Sequence, residues 1–110
     1  MAAKPEDPYH VYGIYDPESG LLRYIGVTQT PEIRRRAVCN GSGTTKGVPV
    51  TEWVLGLKAR GVKPVFKCLV TLSGKEARFA AFRTENALIR SYSRSRFADL
   101  LNVTGNSSFA

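Results

Sequence analysis

Two β-rich runs, Val11 to Tyr15 and Leu21 to Val27, are separated only by Asp16-Pro17-Glu18-Ser19-Gly20. Proline presets one turn dihedral and glycine tolerates positive φ, so the chain must reverse there. The two runs then pair as an antiparallel hairpin, and everything downstream has to pack on it. Residues 1–9, with prolines and charges but no periodicity, read as a loose arm, and the fold is expected to start near His10.

After the hairpin, Thr30-Pro31-Glu32 is a helix-start signal: a hydroxyl cap, a proline whose missing N–H is not needed, and a carboxylate favoured by the dipole. This helix carries Arg34, Arg35 and Arg36 and stops before a glycine- and threonine-rich loop, residues 40–47, that contains Lys46. Thr51 is placed to cap a second helix with Val50 and Leu55 as a staple, Trp53, Val54 and Leu57 on one face, and Gly61 just past its end. Residues 62–72 alternate as a third strand, and Pro64 puts its start at a sheet edge. Ser73-Gly74-Lys75-Glu76 matches a capping box, and Phe79, Phe82, Leu88, Ile89 and Tyr92 give helical periodicity to about Ser93. A short apolar stretch, Leu100 to Val103, precedes a polar tail over residues 104–110. The expectation is one α+β domain over residues 10–103, a small three-stranded, largely antiparallel sheet flanked by helices.

With 110 residues, 43% hydrophobic and 23% charged, the chain has material for one core and no second domain. No apolar run approaches the ~18 residues of a membrane span, and the acidic, proline-containing start does not resemble a secretory signal. The expected setting is therefore soluble and cytoplasmic, a host cytoplasm if the gene is carried by a phage, with no membrane partner. Sixteen Lys and Arg against nine Asp and Glu leave a formal charge of +7, which points to a polyanionic partner without naming a sequence. Cys39 and Cys68 form no Cys-x-x-Cys pair and read as small buried or half-buried thiols in a reducing compartment. His10 is the only histidine, which excludes the usual zinc ligand sets and nucleophile chemistry that depends on a histidine deeper in the chain.

Two features resist a purely structural account. Glu85 has Ala81, Phe82, Leu88 and Ile89 as its helical neighbours, so a carboxylate sits on the buried stripe. Its charge must be met by an arginine, by backbone donors or by a cation, since desolvation of a bare carboxylate costs several kcal/mol. Tyr12, Tyr15 and Tyr24 crowd one hairpin, and cross-strand packing explains them, but not the glycines that precede Ile14-Tyr15 and follow Tyr24-Ile25. Glycine weakens a strand interior unless something approaches closely.

Gly13-Ile14-Tyr15 and Tyr24-Ile25-Gly26 are the two name-giving tripeptides of the GIY-YIG endonucleases, and the chain resembles that family along residues 11–103. Arg34, eight residues after the second glycine, falls where the family has its catalytic arginine. Glu85 resembles the metal-binding glutamate, and Asn102 the asparagine near the domain end. The resemblance implies a metal-dependent phosphodiester hydrolase, acting on nucleic acid and on DNA in the first instance. In this reading Glu85 holds Mg²⁺ or Mn²⁺, Arg34 grips the scissile phosphate, Tyr15 relays the water proton with Tyr24 beside it, and Asn102 supports Tyr15 or the sheet end. An alkaline optimum is expected, because a phenol has a reference pKa of ~10.

Eight residues separate the tripeptides, fewer than in most of the family, yet an even number keeps both tyrosines on one side. Val38 stands where the family often has a histidine or tyrosine, and Val27 where some members have a lysine. For binding, Arg35, Arg36, Lys46, and Lys63 with Lys67 form a candidate backbone track, while Trp53 belongs with the core. Targeting would come from a second copy or a separate partner. Two alternatives stay open: a catalytically weakened nucleic-acid-binding module on the same fold, and a basic adaptor for an anionic surface.

Overall fold

The Asp16 carboxylate accepts the Glu18 N–H at 2.8 Å, the Gly20 N–H donates to the Asp16 carbonyl at 2.8 Å, and Gly20 takes φ 75°. The Glu18 N–H, more than any other group, holds the Asp16 carboxyl below its usual range. This closes the hairpin that the Pro-x-Ser-Gly sequence requires.

A computed structural model describes residues 7–40 and 49–101. The elements are β1 (Tyr9–Tyr15), β2 (Leu22–Thr28), α1 (Pro31–Asn40), α2 (Pro49–Ala59), β3 (Val65–Leu72) and α3 (Ala77–Tyr92). The sheet has the order β2-β1-β3 with both pairings antiparallel, so the α+β class with a small antiparallel sheet holds. Lys46, Asn102, the 104–110 tail and most of the N-terminal arm lie outside the described residues. Among the described residues no helix is long and apolar enough to cross a membrane.

Strand alternation sorts the sheet's side chains into two layers. Val11, Leu22 and Ile25 pack with Ala81, Leu88, Ile89 and Tyr92 of α3. Tyr12 and Ile14 pack with Val38 of α1 and Val54 of α2. Each fully buried aliphatic side chain contributes on the order of 1.5–3 kcal/mol, so the two clusters clamp helices to both faces. Past α3 the chain returns along the outer edge of β2: Leu22 N–H donates to Phe97 at 3.1 Å and Asp99 N–H to Leu22 at 2.8 Å. An Arg23–Asp99 ion pair reinforces the run. That edge is covered, leaving β3 at the other side of the sheet, as Pro64 indicated.

Three local expectations change. Gly74, at φ 101°, opens a turn closed by Ala77 N–H to the Gly74 carbonyl, so the N-cap is Glu76 with no side-chain hydrogen bond and the Ser73 capping box does not form. α2 is already helical from Pro49, which makes Thr51 a buried interior residue rather than a cap. Phe79 is 63% exposed; the stripe that meets the sheet is Ala77, Ala81 and Glu85, whose spacing of four keeps them on one helix face. The end of α2 follows its glycine: Gly61 at φ 72° donates to Lys58 and Val62 to Leu57, a Schellman closure.

Candidate functional site

β1 and β2 pair Tyr12 with Gly26, Gly13 with Ile25 and Ile14 with Tyr24, and the register then slips so that Tyr15 meets Leu22. Directly opposed residues of an antiparallel pair point to the same face, so Tyr12, Tyr24 and Gly26 share the α1/α2 side. The Tyr12 ring lies 6.3 Å from Tyr24 and stacks on Phe66 at 4.7 Å. A Cβ at Gly26 would fall 2.5 Å from Tyr12 Cζ and nearer still to its hydroxyl. The second tripeptide's glycine therefore makes room for the Tyr12 phenol. On the other face, a Cβ at Gly13 would stand 2.8 Å from Leu22 Cδ1. Both glycines that strand propensity disfavours are thus explained by close approach.

Gly26→Ala is expected to push the Tyr12 ring out of its place at a cost of about 1–3 kcal/mol. Urea denaturation measures this, and a variant as stable as the wild type would refute the account of Gly26.

Arg34 arrives from α1. Thr28 Oγ1 accepts the Thr30 N–H at 3.0 Å and the Thr30 carbonyl accepts the Arg34 N–H at 2.9 Å, so the short turn sets the helix register against Gly26. Arg34 and Val38 lie one turn apart on the inward side; Arg34 is half-buried and Val38 is 3% exposed within the Tyr12 cluster. Val38 serves as core at the position where the resemblance implies a histidine or tyrosine. Glu85 enters from α3, which packs on both β1 and β2, and is 0% exposed.

The electrostatics tie these four elements together. Burial raises the Tyr12 phenol well above its ordinary value, with Tyr24 and the Glu85 charge adding to the rise and the Arg34 charge opposing it. Tyr24 is raised by burial and then by Glu85, again against Arg34. One anion and one cation therefore act on the same two phenols. Tyr15 lies elsewhere: it packs in the α3 cluster, is raised by burial and then by Tyr92, and carries Lys67 Nζ 5.2 Å above its ring. The register slip at Ile14/Tyr15 turned it to the opposite face from Tyr24, so the two tyrosines do not share a side.

A phenol that keeps its proton in the fold where the unfolded chain loses it near pH 10 gives a stability contribution that is complete below that pH and fades progressively as pH rises toward the folded value. Between pH 10 and 11 the wild type is expected to lose about 1 kcal/mol more than Tyr12→Phe. Urea titrations at the two pH values check this, and parallel losses would refute it.

The remaining predicted contacts disperse. Arg35 is exposed and paired with Glu32 at 2.9 Å, Arg36 and Lys63 are exposed, and Lys67 lies beside Tyr15. Arg23, half-buried on β2, stacks over Trp53 at 5.4 Å, which keeps Trp53 in the helix packing. Cys39 is half-buried as expected, but Cys68 is exposed, with Sγ 3.6 Å from His10 Nδ1. Among the described residues no group of three or more His, Cys, Asp or Glu could hold a metal.

No protein-family model, curated protein or solved structure matches this chain.

Tyr12, outside both tripeptides, takes the place beside Tyr24 that the resemblance gives to Tyr15. Its signal was available: Tyr12 is three residues from Tyr15, an odd interval, so a strand presents only one of them beside Tyr24. The bulge decides which.

Proposed function

We propose that the protein is a metal-dependent phosphodiester hydrolase of nucleic acid, of the kind the GIY-YIG resemblance implies. The observation that carries the reading is the Tyr12–Tyr24 pair, rings 6.3 Å apart, under the opposing charges of Arg34 from α1 and the fully buried Glu85 from α3. A structural ion pair accounts for one acid and one arginine, and packing accounts for the rings, but neither calls for two phenol hydroxyls under both charges.

The donor chemistry suits a hard cation. One carboxylate with phenol oxygens nearby matches Mg²⁺ or Mn²⁺, which keep several waters of their own. Glu85 would hold the ion, which when bound supplies charge neutralisation and a more acidic water. Arg34 places a planar donor fork against the phosphoryl oxygens as their charge grows. Tyr24, half-buried, takes the role of proton relay for the attacking water. Tyr12, more deeply buried and held protonated, positions water or phosphate as a neutral donor. The closed surroundings strengthen each of these interactions relative to water.

The test is cleavage of labelled single-stranded and duplex DNA and of RNA with Mg²⁺, Mn²⁺ or EDTA. Cutting in the metal lanes alone is the expected result; no cutting in any lane sinks the reading. One observation favours a second reading, a binding module with weakened turnover: the apolar Val38 is sealed in the core at the position where the resemblance calls for a polar side chain. Nucleic-acid binding without cutting would select it.

A further inference from the structure

From Ala77 to Ala98 the chain holds five arginines, no lysine and a single acid, and that acid is the fully buried Glu85. Past its exposed N-cap Glu76, the side of α3 turned away from the sheet therefore carries only positive charge. Arg83 and Arg90 are exposed and seven residues apart, two turns along one helix face, and Phe79, 63% exposed, lies one turn before Arg83 on the same face. Among the described residues, the ion pairs of Asp99, Glu32 and Glu18 go to Arg23, Arg35 and Arg60, and none reaches this face. α1, in contrast, neutralises part of its own arginine run through Glu32–Arg35.

We propose that the outward face of α3 docks the backbone of a single-stranded nucleic acid, with Arg83 and Arg90 on phosphates and Phe79 under an unpaired base. Charge complementarity selects a polyanion. The exclusive use of guanidinium favours phosphodiester oxygens, which match its fork, and a bare phenyl ring beside the cations offers a stacking platform to any base. The 16 residues of α3 span about 24 Å, the axial rise of roughly seven nucleotides in a stacked strand. α3 lies across the sheet from α1, so this surface is separate from the backbone track expected on Arg35 and Arg36. The inference rests on the nucleic-acid reading of the site, but not on turnover.

The experiment measures binding in EDTA, where cutting cannot interfere, by fluorescence anisotropy of a fluorescein-labelled single strand and its duplex over a salt series. The proteins are wild type, Arg83→Ala/Arg90→Ala, Phe79→Ala and Arg60→Ala. The double variant is expected to reduce the magnitude of the log–log salt slope on the single strand by about 1.4, the value for two lost phosphate contacts. Phe79→Ala should weaken single-strand binding roughly tenfold with the slope unchanged, and Arg60→Ala should match the wild type. All substituted residues are exposed, so folding is retained. Three results each overturn the proposal: wild-type slope and affinity in the double variant; preference for duplex with Phe79→Ala silent; or loss of binding to phosphatidylserine vesicles while single-strand binding is intact, which would make the face a membrane contact. α3-dependent binding by a protein that cuts under no metal condition would uphold this surface and reject the hydrolase reading. Metal-dependent cutting with binding indifferent to α3 would do the reverse.

Discussion

Glu85→Gln is expected to lower metal-dependent cleavage by about a thousandfold or more in kcat/KM. The carboxylate would hold the cation, and loss of roughly 4 kcal/mol of charge stabilisation at the phosphoryl group corresponds to that factor. Glutamine keeps the shape of a side chain that is 0% exposed and closes the stripe begun by Ala77 and Ala81, so α3 should stay docked. The same variant should lose a Mn²⁺ site seen by electron paramagnetic resonance, a readout that a purely structural glutamate would not move. Cleavage within tenfold of the wild type, with the fold intact by circular dichroism, would remove Glu85 from the mechanism.

The second large effect separates three tyrosines that look equivalent in sequence. Tyr12→Phe and Tyr24→Phe are each expected to reduce kcat/KM by about a hundredfold, within the usual range for a positioned proton-handling group. Tyr15→Phe should stay within a few-fold, because that ring packs against the α3 cluster beside Tyr92 and Lys67. The pH profile then assigns the roles. Burial raises Tyr24, with Glu85 adding to the rise, so its phenolate grows scarcer at neutral pH and the wild-type rate should climb about tenfold per pH unit into the alkaline range when chemistry is limiting. Tyr24→Phe should flatten that climb; Tyr12→Phe should keep it at a lower level, since a phenol held protonated contributes as a donor throughout. A flat wild-type profile from neutral to alkaline pH rejects the relay. A hundredfold loss in Tyr15→Phe with Tyr12→Phe unaffected would return the role to the tripeptide tyrosine.

Much of the fold was legible because it depends on neighbours in the chain. Asp16 to Gly20 could only reverse, Gly61 could only end a helix in a left-handed conformation, and the apolar flanks of Glu85 placed it on a buried face before any helix was docked. The positions of Arg34 and Glu85 within their helices came from the same local logic. Where local signals compete, the tertiary structure overrides them. Ser73 to Glu76 satisfies a capping pattern, but the turn at Gly74 delays the helix so that its N-cap is Glu76, three residues past Ser73. Phe79 fits the helical period, yet α3 approaches the sheet through its alanines, because small side chains permit the closer contact and leave the larger ring outside.

By itself the sequence determined a hairpin followed by helices and a third strand, a basic surface, and a buried acid on the last helix. Which tyrosine sits beside Tyr24 was decided only by the tertiary structure. The alternation of a strand allows either Tyr12 or Tyr15 beside Tyr24 but not both, and a one-residue slip between Ile14 and Tyr15 makes the choice. Such a slip reflects how the hairpin's closing turn, the return of residues 97–101 along β2 and the layers above and below fit at once, which no window of sequence contains.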